Sequence, residues 1–253
     1  MKLYLDEHTF IDTSQPLDLS IPLSATAKNP RAWHVNPPEM EPVRTERYTG
    51  SIQEGGVVNF RNVFFNPHGH GTHTECLGHI TQKVHEVNKV LKEYFFEARL
   101  VSVLPSRIEK DGEVDFVIFP DQLPLDDFKG KALIVRTLPN DGSKRIKNYS
   151  STNPPYFSVD CVPKLIEAGI DHLLTDLPSV DRESDRGVLA FHHAFWEVPE
   201  NPNFRRTITE FIFADHRISD GDYLLNIQMA AFANDAAPSR PVIYKKQKRV
   251  KII

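Results

Sequence analysis

The chain has 253 residues, 40% hydrophobic and 25% charged, with a formal net charge of −4, values of a globular protein with a sizeable core. A nucleic-acid binder is more often basic, with Lys and Arg gathered on one face, and the only two cysteines, Cys76 and Cys161, lack CxxC spacing, which excludes a zinc ribbon or a disulfide framework and points to a reducing, cytoplasmic setting. No apolar run approaches the roughly 18 residues of a bilayer span, and the opening MKLYLDEHTFIDTSQ is too polar for a signal peptide, so neither nucleic acid nor membrane is expected as a partner.

In chain order, LDLSIPL (residues 17 to 23) reads as a strand, and NPRAWHVNPPEMEP as irregular, because each proline fixes φ and removes a donor. VVNFRNVFF (57 to 65) is β-branched and aromatic, the pattern of a strand. It leads directly into a histidine-rich segment. HITQKVHEVNKVLKEYF places Ile80, Val84, Val87, Leu91 and Tyr94 at helical spacing and predicts one amphipathic helix. ARLVSVL and KALIVRT have strand length. SVDCVPKLIEAGIDHLLTD predicts a helix capped at Ser158 and closed at Gly169, then a strand, which makes a βαβ unit. TITEFIFAD and YLLNIQMAAFA are further strands joined by the turn SDGD, and YKKQKRVKII is a solvated terminal strand or tail. There is no internal repeat and no linker, so residues 1 to 253 are read as one α/β or α+β domain with a substantial sheet.

The chemistry concentrates in NPHGHGTHTECLGHI, residues 66 to 80, with His68, His70, His73, His79 and Glu75. Residues two apart in an extended chain share a face, so His73 and Glu75 project together, as do His68 and His70. Imidazole nitrogens and a carboxylate suit zinc, manganese or iron, and with an open position they form a recurrent hydrolytic arrangement. Two distal stretches can complete such a site. LAFHHAFW carries His192 and His193. TITEFIF carries Glu210, which alternation places on a face with Ile208 and Ile212, where a carboxylate needs a partner or a metal. No GxSxG, Walker A or GxGxxG pattern occurs, and Cys76 reads as a small buried hydrophobe rather than a nucleophile.

Together these residues resemble the metal-dependent cyclase family, which includes bacterial kynurenine formamidases and isatin hydrolase. HGTHTECLGH is similar to its HxGTHxDxPxH signature, LDLSIPL to its DxSxPL strand, DLPSVD (176 to 181) to its D-x-PS-x-D turn, HHAFW with ITE to its distal His and Glu, and GDYLLNIQMAAFANDAAPSRPVIY to its closing strands. The resemblance implies an α/β single domain of swivelling β/β/α type, a mixed sheet with flanking helices. It also implies one or two divalent metal ions, zinc or manganese, a homo-oligomer, and hydrolysis of an N-formyl or cyclic amide of a small, aromatic substrate. Matched position by position, His73, Glu75, His192 and Glu210 fall on metal ligands, His79 on the acid–base histidine, and Trp33 on an aromatic that contacts substrate. Three positions depart from the pattern: Glu75 replaces Asp, Leu77 replaces Pro, and Gly69 stands where the first His belongs. His68 or His70 is left to supply that ligand, His70 slightly preferred for its reach across Gly71. The loss at Gly69 also motivates a rival reading, a catalytically inactive small-molecule-binding protein on the same scaffold.

Overall fold

The computed structural model describes residues 1–110 and 112–249. The strands that matter here are β1 (Leu17–Asp18), β2 (Glu39–Pro42), β3 (Arg61–Phe64), β4 (His73–Glu75), β5 (Phe95–Val103), β6 (Ala132–Thr137), β7 (His172–Thr175), β8 (Thr207–Glu210), β9 (Gly221–Met229) and β10 (Ala236–Lys245). The helices are α1 (Val87–Val90), α2 (Cys161–Glu167) and α3 (Ala190–Trp196). None of the described helices is long and apolar enough to cross a membrane.

The domain is α/β with a mixed sheet and few helices. The order runs β9, β5, β6, β7, β8, β4, β10, and β10 pairs back onto β9, so the sheet closes into a seven-stranded barrel with β1 appended to β10. Strands β5 to β8 are parallel, and β4, β9 and β10 complete the ring in antiparallel fashion. Closure removes exposed edges and divides the apolar residues into two cores. Leu100, Ile134, Leu174, Leu225 and Ile243 meet in one core. Val101, Val135, Leu173 and Ile208, neighbours that alternate to the opposite face, pack with Val162 and Leu165 of α2 and Phe191, Phe195 and Trp196 of α3 in the other. The first core fills the barrel, and the second lies between its outer wall and the helices.

The βαβ prediction holds. Helix α2 precedes β7, which pairs in parallel with β6. Ser158 caps locally through Asp160, and Gly169 closes the helix at φ +76°. The long amphipathic helix does not form; only the single turn α1 is helical. Residues 80–86 double back instead, with Gly78 so close to His85 that a Cβ there would meet the His85 carbonyl oxygen at 2.2 Å. The Val87 N–H then bonds to Asn234 (2.8 Å) rather than within a helix. Tertiary contacts override the periodicity. The strand expected over 57–65 shortens to β3, pairs with β2, and stands apart from the barrel sheet; that expected over 17–23 shortens to β1. The basic C-terminal stretch continues β10 and adds Gln247–Lys248 against Thr9–Phe10, while residues 250–253 lie outside the described residues.

Candidate metal centre

Strand pairing brings the distal carboxylate to the histidine segment. β8 lies antiparallel to β4 with Glu210 opposite His73 and Ile208 opposite Glu75, and directly opposed residues share a face. Ile208 belongs to the core beneath the helices, so this face looks towards α3. Immediately after Glu210 the alternation breaks: Phe211 takes φ +54°, and Ile212 joins the barrel interior instead of continuing the Glu210 face. Helix α3 supplies His192, with its ring buried beside Trp196 (5.2 Å between centroids).

Three imidazoles converge with one pattern: an outer nitrogen tied to an acceptor and an inner nitrogen facing carboxylate. His73 Nδ1–H donates to the Gly71 carbonyl (2.9 Å), and its Nε2 points at Glu210 Oε2 (3.5 Å) and Glu75 Oε2 (4.0 Å). His192 Nδ1 is held by Asp181 Oδ2 (2.6 Å), and its Nε2 lies 3.1 Å from Glu75 Oε1. His68 Nε2 is held by Asp235 Oδ2 (2.8 Å), and its Nδ1 lies 2.9 Å from Glu75 Oε2. Asp181 also accepts the N–H groups of Phe191 and His192, so one carboxylate both starts α3 and orients its histidine. Glu210 Oε1 accepts from the Val180 N–H (3.0 Å).

His79 stacks on His68 (4.1 Å, 28°), with Nδ1 3.4 Å from Asp235 Oδ2 and about a third of its side chain exposed. Two donor sets result, both using Glu75: His73 with Glu75 and Glu210, fully buried, and His68 with Glu75 and His79, nearer the mouth.

The field of these carboxylates is strong. Burial alone would lower His68 and His192, yet Asp235 and Glu75 push the first, and Asp181 and Glu75 the second, up to about 10. Burial would raise Glu75, but His79, His192 and His68 hold it well below the usual carboxylate range; burial is likewise overcome at Asp235 by His68 and His79. A site that binds protons this tightly is one for which a cation competes.

The donor set fits a divalent cation on a specific observation. His73 is fully buried, its Nδ1–H is committed to Gly71, and its Nε2 has no hydrogen-bond partner while facing two carboxylates. A bare imidazole lone pair aimed at anionic oxygens is unfavourable unless a positive charge lies between them.

His70 does not join the cluster. Its Nε2 lies 2.6 Å from the Asn36 carbonyl and its Nδ1 accepts from the Asn66 N–H (2.7 Å), so both nitrogens are used elsewhere, and the preference for His70 over His68 is corrected. Gly69 backs onto the neighbouring loop: a Cβ there would meet a Val35 methyl at 2.8 Å, so a histidine at that position would require Val35 to shift. His193 turns away to the Val198 carbonyl. Trp33 sits on that loop at φ +59°, more than a third exposed. The loop is stitched to the histidine segment by the Ala32 N–H to Gly69 carbonyl bond (3.1 Å), while the ring against His73 is Phe211 (6.2 Å). Cys76 is fully buried, its thiol pushed up to about 12 by burial, which suits packing and not attack. Asp181 and Asp235 were not singled out as site residues from sequence. Asp181 closes the DLPSVD turn already matched to the family, which is a signal that could have found it, whereas Asp235 lies among small residues just before β10 with no comparable signal.

Comparison with known proteins agrees with this geometry. Residues 17–182 match the Cyclase family model, described as "Putative cyclase". A kynurenine formamidase of Bacillus thuringiensis (strain Al Hakam) is 27% identical over 237 residues, covering 92% of this chain and 96% of that protein. One from Bacillus anthracis is 27% identical over 196 residues, covering 76% and 83%. The fold is shared with isatin hydrolase A from Ralstonia solanacearum (TM-score 0.65, 13% identity, 91% of each chain). It is also shared with a potential metal-dependent hydrolase with cyclase activity (TM-score 0.64, 15% identity, 91% of this chain and 97% of that one). With most of its length matched by that model and the site residues assembled on one face, the chain belongs to the Cyclase family.

Proposed function

We propose that the protein is a metal-dependent hydrolase, acting in the cytoplasm as a single domain of swivelling β/β/α type, that cleaves the N-formyl or cyclic amide bond of a small aromatic metabolite. The observation that carries this reading is the orphaned His73 Nε2 facing Glu75 and Glu210, with His68 and His192 each turning a ring nitrogen to Glu75 beside it. His73, Glu75 and Glu210 would hold one divalent ion, zinc or manganese, and His68 and His192, which both face Glu75, would offer donors to it or to a second ion, leaving His79 for proton transfer. A cation held there supplies a Lewis acid for the carbonyl and lowers the pKa of water.

The remaining work falls to the chain's own groups. His79 is the most exposed histidine of the cluster, and with its Nδ1 turned towards Asp235 its Nε2 is left for the substrate side. It accepts a proton from the attacking water and returns it to the departing nitrogen as the carbon–nitrogen bond breaks. Asp235 fixes the ring, and Trp33, exposed on the adjoining loop, offers apolar surface to an aromatic substrate. His68, which faces Glu75, stands where it could supply the ligand that Gly69 lacks, and this supports the enzyme reading over the binding-protein one.

The test is metal content of tag-free protein, with turnover of N-formyl aromatic amines and of isatin. Bound zinc or manganese and measurable hydrolysis are expected, and His79→Ala should lower kcat about a hundredfold or more with metal retained. Protein that is metal-free and inactive after loading with either ion would refute the reading.

A further inference from the structure

Two residues after Asp181 the chain carries a second acid with a long reach. Glu183 accepts two backbone N–H groups, that of Ser151 at Oε1 (2.5 Å) and that of Asn153 at Oε2 (2.8 Å). These partners lie 32 and 30 positions back in the chain, so the contact is a tertiary tie and not a local cap.

The loop that Glu183 grips runs alongside the one that carries Trp33. Arg31 bridges Asn148 in parallel, with the Arg31 N–H bonded to the Lys147 carbonyl (3.1 Å) and the Tyr149 N–H to the Arg31 carbonyl (2.7 Å). The Ser150 hydroxyl accepts from the His34 N–H (2.9 Å). The Tyr149 ring stands on edge against Phe211 (5.7 Å, 82°), and Ala32 packs with both. Phe211 is the ring beside His73, so the paired loops form one wall a single layer from the metal centre.

That wall is strained. Trp33 (φ +59°), His34 (+56°), Ser151 (+60°) and Asn153 (+45°) all take left-handed backbone although none is glycine. Such residues persist only where their surroundings over-determine them, and they cluster at ligand clamps. Here three of the four have their N–H groups held by side chains: Glu183 takes those of Ser151 and Asn153, and Ser150 takes that of His34.

We infer that Glu183 is a positioning residue for substrate binding. It clamps residues 151–153, and these, through Ser150 and Tyr149, hold residues 31–34 so that Trp33 is in place before an aromatic substrate arrives. Glu183 acts on the substrate only through the two loops. Its effect on catalysis rests on the hydrolase reading with Trp33 as an aromatic contact; the clamp itself does not.

Trp33 reports on its own loop, because the only other tryptophan, Trp196, is fully buried. In Glu183→Ala, iodide quenching of tryptophan fluorescence should rise about twofold and anisotropy should fall, as the loop gains nanosecond motion. Glu183→Gln, which keeps one acceptor oxygen, should fall between Ala and wild type, and Ser150→Ala should give a smaller change in the same direction. For an N-formyl aromatic amine, Glu183→Ala should raise KM about threefold to tenfold, the effect of having to order one large side chain on binding, with kcat within about twofold and bound metal unchanged. In a Trp33→Ala background, Glu183→Ala should add nothing further to KM, since both changes remove the same contact. Unchanged quenching in Glu183→Ala, a fall in kcat or loss of metal in place of a rise in KM, or KM effects that add in the double variant overturns the inference. Quenching needs no turnover. A protein that hydrolyses nothing yet loosens at Trp33 in Glu183→Ala keeps the clamp and refutes the hydrolase reading; one that hydrolyses with Trp33 unmoved does the reverse.

Discussion

Two buried polar clusters flank the same barrel wall, and they are built on opposite rules. At Asp176 every demand is met from within. The carboxylate accepts from the Thr137 N–H and hydroxyl and from Lys144 Nζ (2.7 Å), while Lys144 also donates to the Thr137 carbonyl (2.6 Å). The charges cancel and no valence is left over. At Glu75 the count does not close. His73 Nε2 and Glu75 Oε2 are both buried without a hydrogen-bond partner. A closed network holds the fold; an open one, equally buried, is retained for what it can bind.

The sharpest way to break this contrast is Glu75→Ala. Removing the carboxylate common to both donor sets should abolish metal binding, with kcat/KM falling on the order of a thousandfold or more. Because it relieves an open cluster, it should lower the melting temperature little. Lys144→Met tests the other side. It strands Asp176 as a buried charge and should destabilise the fold by about 3–5 kcal/mol in urea titrations, with metal stoichiometry of the folded protein unchanged. If Lys144→Met instead stripped the metal, the division between the clusters would be wrong.

A third buried group extends the comparison to pH. His172 is bonded to Thr207 Oγ1 (2.8 Å) and packed on Phe96, and burial pushes it down to about 4. Its folded pKa lies below the unfolded value near 6.5, so the unfolded chain takes up the extra proton between those limits. Stability from this group is complete above pH 6.5 and is lost as pH falls towards 4. His172→Gln should flatten that part of the stability profile, measured by denaturant titration; a profile unchanged by the substitution would exclude His172 as the cause. The smallest expected effect is at Asp181→Asn, which keeps the shape of the group but weakens its hold on His192. Metal affinity should drop about 10- to 100-fold with the ion still bound at saturation.

Much of the site was legible before any coordinates. The histidine run offered His73, Glu75 and His79, and alternation offered Glu210 among isoleucines, while the choice of His192 over His193 and the role of His79 rested on the family resemblance. The exchange of His70 for His68 was not legible, since it turns on the bonds that tie both His70 nitrogens to Asn36 and Asn66, contacts set by the loop geometry. The parallel strands declared themselves by composition, but the closing of the sheet did not, because the pairing of β9 with β10 and the insertion of β4 depend on register across the whole chain. The helix predicted after His79 failed for the same reason. Its periodicity was genuine, but Asn234 and Gly78 compete for its backbone, and neither is visible in a local window.

The place of β4 has a kinetic corollary. This three-residue strand is wedged between β8 and β10, and its Thr74 meets Thr209 from 135 positions away in the chain. Contacts of such span form only after much of the chain has condensed, because the intervening loop must first be gathered in. The cation-binding constellation should therefore arise as one of the last events of refolding, in step with completion of the cylinder, and the rate at which refolding protein captures zinc would serve as a stopwatch for that final step.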